Sequence, residues 1–311
     1  MRFFRSNYWT TTTSKLINTN FDTTSMDPYT TKIHHSAINL FDKTPYAWQA
    51  EVGSGILRGV ASNSSIRYLC VRPTGGGKTL LFAATAASLK GITLCILPLI
   101  SLGADQTVKL IDSTQSSASC ITAFHLDEVP LNHHQILVRK LKEGDYSKTI
   151  VLFSSPQALL NDNSPILQYL LSESSLLSML VMDEIHLSCH FGKTFRSEFM
   201  ALKGAVFDKI SPSIPQLFLT ATCTRSIKES FESMLGIHIN HVHWPAPQYM
   251  VNRNVQFNVS YSTQWFPSIT KSIKQYVTST DPLPNKVIIY SNQRTKIMSK
   301  RRRCVVFVDQ N

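Results

Sequence analysis

Six apolar runs punctuate this chain, and helix-forming stretches separate them. The runs are IRYLCV (66–71), ITLCIL (92–97), SCITAF (119–124), TIVLFS (149–154), LLSMLVMD (176–183) and QLFLTAT (216–222). A strand with one wet face alternates apolar and polar residues. A nearly continuous apolar run reads as a strand covered on both faces. The stretch TLLFAATAASLK (79–90) is rich in Ala and Leu, which are strong helix formers, and Gly91 stands where that helix would stop. NHHQILVRKLKEG (132–144) places Ile136, Leu137 and Leu141 at helical spacing and ends on Gly144. Buried strands alternating with helices predict an α/β domain built on a parallel sheet. Such a sheet binds ligands at the carboxyl ends of its strands.

The pattern places this domain over residues 36–245. Residues 1–35 are rich in Thr, Ser and Asn and carry Arg2, Arg5 and Lys15 before the first acid, Asp22. That composition predicts a disordered tail or a mitochondrial targeting segment, with Met26 as an alternative start. Pro245 and Pro247 mark a boundary. Beyond it, VQFNVSY (255–261) and KVIIYS (286–291) predict that 246–311 form a linker and the incomplete start of another domain, because a domain usually takes about 100 residues or more. The basic run 300–303 reads as a nuclear signal or a solvated patch, so a nuclear location is expected beside the mitochondrial alternative.

Composition adds a partner class. The 311 residues are 43% hydrophobic and carry a formal charge of +11, which suggests an acidic partner such as nucleic acid. The six cysteines show no C-x-x-C spacing, and Cys70, Cys95 and Cys120 sit inside apolar runs as expected for buried thiols. No zinc site is expected. His238, His241 and His243 read as incidental histidines of a strand. No apolar run approaches the length of a membrane span, so no membrane partner is expected.

RPTGGGKTL (72–80) lies between the first strand and the first long helix. It differs from the G-x-x-x-x-G-K-[ST] phosphate loop at one position, where Arg72 replaces the first glycine. The context is that of a phosphate loop. Amides at a helix N-terminus point toward an anion, and the helix dipole favours negative charge there. Thr74, Gly75, Gly76 and Gly77 would wrap phosphate oxygens, Lys78 would reach the β and γ phosphates, and Thr79 would ligate Mg²⁺. The second half of such a site is an acidic pair at a strand end. Asp183 and Glu184 supply it 105 residues beyond Lys78. Asp183 would hold Mg²⁺, and Glu184 would orient or deprotonate the attacking water. His186 is a candidate γ-phosphate sensor.

In order along the chain these stretches resemble the RecQ-type DNA helicases of helicase superfamily two, over roughly residues 38–296. PTGGGKT (73–79) resembles the family's phosphate loop, which lacks the first glycine. PLISLGADQ (98–106) resembles its next motif. FSSPQALL (153–160) stands at its Thr-Pro-Glu-like turn. DEIHLSCHFGKTFRSEF (183–199) resembles the Asp-Glu-Ala-His box with the aromatic-rich loop. FLTATCT (218–224) resembles the Thr-Ala-Thr motif, and KVIIYSNQRTK (286–296) the start of the second motor domain. The resemblance implies a RecA-like phosphate-loop domain with a stub of a second one, ATP and Mg²⁺ as cofactors, and ATP-driven 3′-to-5′ unwinding of DNA, single-stranded or tailed duplex. It implies coupling through His186, Thr220 and Thr222. It implies DNA contacts by Ser101, Phe191, Phe195 and Arg196, with aromatic faces stacking on bases. Gln49 resembles the adenine-reading glutamine, although the Phe-Arg that usually precedes it is missing. Ile185 replaces a small Ala, and His190 and Phe191 stand where the family favours Gln and Trp.

The family places an arginine finger in its second motor domain, so this chain is expected to be a poor motor alone, completed by a partner chain. A non-catalytic nucleotide- and nucleic-acid-binding fragment is the alternative reading. A phosphate-loop kinase or GTPase is the remoter one.

Overall fold

The computed structural model describes residues 26–245 apart from 99, 115–120, 145–146, 174–175 and 191–192. Residues 1–25 and 246–311, with the tail, second-domain and 300–303 assignments, lie outside the described residues, as does Cys120. The chain opens with α1 (Pro28–Phe41) and α2 (Ala47–Ala61), then runs β1 (Arg67–Val71), α3 (Lys78–Leu89), β2 (Gly91–Ile96), α4 (Ile100–Thr114) and β3 (Thr122–His125). It continues through α5 (His134–Lys142), β4 (Thr149–Ser154), α6 (Pro156–Leu159), α7 (Pro165–Ser172), β5 (Leu177–Met182), α8 (Leu187–His190) and α9 (Lys193–Leu202). It closes with β6 (Gln216–Thr220), α10 (Arg225–Leu235) and β7 (His241–His243).

The described strands form one seven-stranded sheet in the order β3-β4-β2-β5-β6-β1-β7, and every pairing is parallel. The side-chain period of two explains why the apolar runs are continuous. On β4, Ile150 and Leu152 enter one core layer and Val151 and Phe153 the other. On β1, Leu69 and Val71 face one layer and Cys70 the other. Helices α5, α7, α9 and α10 cover the first face, and α2, α3 and α4 the second. Cys70 and Cys95 are buried free thiols, as their apolar settings predict. His241 and His243 lie on the edge strand β7, and His243 is not incidental there, because it meets the Arg72 side chain. No helix among the described residues is long and apolar enough to cross a membrane.

The first helix is where the structure differs from the pattern. α1 starts at Pro28, inside the segment assigned to the tail. Its Thr-rich first turn hid a working N-cap. Asp27 accepts from the amides of Tyr29 (3.1 Å) and Thr30 (3.4 Å), and Pro28 needs no amide partner at the first helical position. The helix then buries Ile33, Ala37 and Leu40, and Ile33 and Ala37 meet Leu57 and Ala84 of α2 and α3. Asp27→Ala is expected to cost about 1 kcal/mol, the usual loss of an N-cap. Urea denaturation showing no change would mean that α1 owes nothing to this cap.

Candidate nucleotide site

The phosphate loop leaves β1 and enters α3, with Lys78 as the first helical residue. Gly77, at φ 89°, is the N-cap of α3. A Cβ there would lie 2.6 Å from Gln49 Nε2, so the position requires glycine for its backbone angle and for its neighbour. A Cβ on Gly76 would lie 2.8 Å from the Pro73 carbonyl oxygen. Arg72, in the place of the usual first glycine, turns its side chain out of the loop. Its guanidinium lies 4.4 Å above the Trp48 ring, and Nη2 is 2.6 Å from His243 Nε2. Burial, and then the Arg72 charge, hold His243 below the ordinary imidazole range, which favours a neutral ring that accepts from Arg72.

Gln49 is almost fully buried rather than on the surface. Its Oε1 accepts from the Tyr46 amide at 2.7 Å, and its Nε2 donates to the Gly77 carbonyl at 2.8 Å. It therefore ties the start of α2 to the loop.

Parallel pairing brings the acidic pair beside the loop. β5 lies next to β6, and β6 next to β1. Lys78 Nζ donates to the Arg72 carbonyl at 3.1 Å and stands 3.7 Å from Glu184 Oε1. Asp183 is buried, with Oδ1 accepting from the Glu184 amide at 2.9 Å and Oδ2 only a long 3.4 Å contact from Gln106 Nε2. Burial first, and then the Glu184 charge, push the Asp183 carboxyl up to about 6, although Lys78 pulls the other way. Such a carboxylate gains from a cation. Oxygen donors suit Mg²⁺, so the buried Asp183 carboxylate fits the ion, and Thr79, an exposed residue in the first turn of α3, follows directly after Lys78.

Glu184 adopts a left-handed backbone, φ 51°, which is uncommon for a residue with a side chain. Its neighbours hold it there. The Ile185 amide donates to the Leu219 carbonyl at 3.2 Å, and the Ala221 amide reaches Glu184 Oε2 at 3.4 Å. Ile185, in the place of the family's small Ala, adds no bulk beside the site. Instead it is fully buried in the core layer beneath it.

His186 joins the two sides. Its Nδ1 lies 2.9 Å from Thr220 Oγ1 and 3.3 Å from Glu184 Oε2. Thr220 gives its single hydroxyl proton to the Thr222 carbonyl at 2.9 Å, so it can only accept from His186. Nδ1 therefore carries a proton. The Thr222 amide also donates to Thr220 Oγ1, at 3.2 Å. Lys78, Asp183, Glu184, His186, Thr220 and Thr222 are thus brought together. Thr74 and Gly75 lie on the exposed lip of the loop. Phe191 and the side chains of Ser101, Phe195 and Arg196 lie outside the described residues. Sequence reasoning missed Trp48, Arg72, His243 and Gln106. Arg72 in a glycine position was the available signal for the first three.

Charge is distributed unevenly. Residues 26–245 contain 18 Lys and Arg against 17 Asp and Glu, a balance of +1. The excess that suggested an acidic partner therefore belongs to the flanking segments and not to this domain.

Comparison with known proteins places this geometry. A model of the DEAD/DEAH box helicase family matches residues 46–230. The ATP-dependent DNA helicase Q-like 4B of Arabidopsis thaliana is 34% identical over 179 residues, covering 57% of this chain and 15% of that protein. The ATP-dependent DNA helicase Q5 of Rattus norvegicus is 31% identical over 193 residues, 61% of this chain and 19% of that protein. The probable ATP-dependent DNA helicase RecS of Bacillus subtilis is 28% identical over 222 residues, 69% of this chain and 40% of that protein. The chain thus spans between 15% and 40% of the length of these relatives. Among solved structures, the DUF1998 helicase MrfA shares the fold with a TM-score of 0.59 at 16% identity, covering 88% of this chain and 40% of that one. Because the family match spans more than half of the 311 residues, the chain belongs to the DEAD/DEAH box helicases and resembles, within them, the RecQ-type DNA helicases.

Proposed function

We propose that residues 26–245 bind and hydrolyse ATP as the first motor domain of a DNA helicase with 3′-to-5′ polarity. The observation that carries this reading is the continuous contact from Lys78 through Glu184 and His186 to Thr220 and Thr222. Lys78 is poised for the β and γ phosphates. Glu184 shares its carboxylate between Lys78 and His186, so a γ phosphate that draws Lys78 away frees an oxygen to take a proton from water. Asp183 and Thr79 would hold Mg²⁺, which when bound neutralises phosphate charge. His186, held as a donor toward Thr220, lets a change at Glu184 reach the turn after β6. That turn is the proposed route by which nucleotide state alters the hold on a single DNA strand.

Lys78→Ala is expected to abolish most MgATP binding in calorimetry. Glu184→Gln should keep binding and lower turnover by roughly 10²–10⁴, the usual share of a general base. Equal nucleotide affinity in wild type and Lys78→Ala would sink the reading.

Asp183 carries a stability cost that can be measured separately. Without metal, its carboxyl titrates near 6 in the fold and near 3.8 when unperturbed. The folded chain therefore holds this proton more tightly than the unfolded chain. The stability contribution is fully present below about pH 4, is lost as pH rises through about 4–6, and stays lost above. Asp183→Asn removes the buried charge. It should stabilise the nucleotide-free protein at pH 7.5 by on the order of 2 kcal/mol, with the advantage fading toward pH 4, while Mg²⁺-dependent nucleotide affinity disappears. An unchanged melting temperature at pH 7.5 would contradict this account.

A further inference from the structure

One side-chain cluster at the mouth of the phosphate loop takes no part in the chemistry above. Half of it comes from β7, the last strand of the sheet. β7 is three residues long, pairs with β1 at the sheet edge and buries none of its residues fully. It adds little core, yet its register is fixed. Asn240 Oδ1 accepts from the Arg67 amide at 2.9 Å, and Asn240 Nδ2 donates to the Ser65 carbonyl at 2.6 Å. His241 stacks on Tyr68, its partner in the ladder, with ring centroids 5.3 Å apart.

This register sets His243 opposite Cys70. Side chains two apart on an extended chain share a face, so Arg72 leaves β1 on the side of Cys70 and His243. That side belongs to the core layer of α2, and Trp48 of α2 meets both groups. Its ring lies 4.4 Å from the Arg72 guanidinium and 5.9 Å from the His243 ring. Arg72 Nη2 is 2.6 Å from His243 Nε2. A guanidinium has only donors, so Nε2 accepts. The ring is therefore neutral, with its proton on Nδ1. A second proton on Nε2 would set two N–H donors and two positive charges against each other.

Arg72 in turn shapes the loop. Its carbonyl accepts from Lys78 Nζ at 3.1 Å, and a Cβ on Gly76 would lie 3.4 Å from Arg72 Cβ. Holding the guanidinium thus holds the backbone that anchors the Lys78 ammonium and the side chain against which Gly76 packs. The surroundings favour the neutral imidazole. Burial and then the Arg72 charge keep it below the ordinary imidazole range, while Glu51 of α2 pulls the other way. From β1, the Cys70 thiol is pushed up to about 12 by burial and stays uncharged.

We propose that His243 is a positioning residue for nucleotide binding: its lone pair on Nε2, steadied by the stack on Trp48, holds Arg72 at the loop entrance and thereby sets Lys78 for the phosphates. A proton on this ring releases Arg72 and weakens the hold on the nucleotide. This rests on the nucleotide-binding part of the proposed function and deepens it.

The test measures MgADP binding to the full chain by calorimetry. His243→Ala, which removes the acceptor, should weaken binding about tenfold at pH 7.5, the size expected for one charge-assisted hydrogen bond. His243→Gln, whose side-chain oxygen can take the place of Nε2 and does not titrate, should restore wild-type affinity there. Toward pH 5 the wild type should lose several-fold more affinity than His243→Gln. Asp183 and the nucleotide phosphates also titrate in that window, but in both proteins alike, so the difference belongs to His243. A ring that only supported the fold would give no such difference. Three results each overturn the inference and leave the proposed function standing: wild-type affinity in His243→Ala, an equal loss in His243→Gln, or superimposable pH profiles of wild type and His243→Gln. If His243→Ala folds poorly, the pH comparison decides alone. A wild-type chain that binds no MgADP overturns the nucleotide reading and this inference with it.

Discussion

The hydrogen bond from the Arg72 amide to the Thr220 carbonyl, 2.9 Å, extends the parallel β1–β6 ladder one residue past the end of β1. It fixes where the phosphate loop begins relative to the turn after β6. The Arg72 carbonyl then accepts from Lys78, so the same residue anchors the Lys78 ammonium. The β5–β6 pairing delivers Asp183 and Glu184 to the same edge. Parallel strands make this possible because they all end on one side, and every residue leaving the sheet there meets its neighbours.

Against that geometry, two buried acids differ in what they meet. Asp183 keeps one backbone amide and one long amide contact, beside a second carboxylate and a lysine. It is left under-satisfied, which costs stability. Asp127 accepts from an amide and a hydroxyl and faces an imidazole. Each of its two oxygens is bonded within the protein. A buried acid short of partners is the one whose charge a cation would relieve.

The sheet was largely legible in the sequence because both faces are buried. Continuous apolar runs located six strands to within a few residues, and the QLFLTAT run ended early only because Ala221 and Thr222 leave the ladder to form the His186–Thr220 turn. α1 was not legible. Its Thr-rich start reads as tail, and its cap depends on Asp27, a single short side chain. The loop and the acidic pair were legible because their chemistry demands fixed residue types at a fixed place after a strand. Trp48, His243, Gln106 and Asp127 were not. Each acts through a partner distant in sequence, and no local pattern encodes a pairing such as Asp127 with Ser155 or Arg72 with His243.

Arg72 occupies a motif position released from its usual residue, and the release has a structural consequence. A glycine there would leave the start of the loop tied to its surroundings by backbone alone. Arginine adds a guanidinium stacked on Trp48 and bonded to His243, and Trp48 itself stacks on His243 with ring centroids 5.9 Å apart. Trp48 precedes Gln49, which holds the Gly77 carbonyl at the other end of the loop. The loop is therefore gripped at both ends by α2, once through a cation–π contact and once through an amide. A cation over an indole is most favourable where water is excluded, and Arg72 is buried. The departure from the glycine pattern thus leaves the glycines of the cradle, Gly75 to Gly77, in place and stiffens the loop at its entrance.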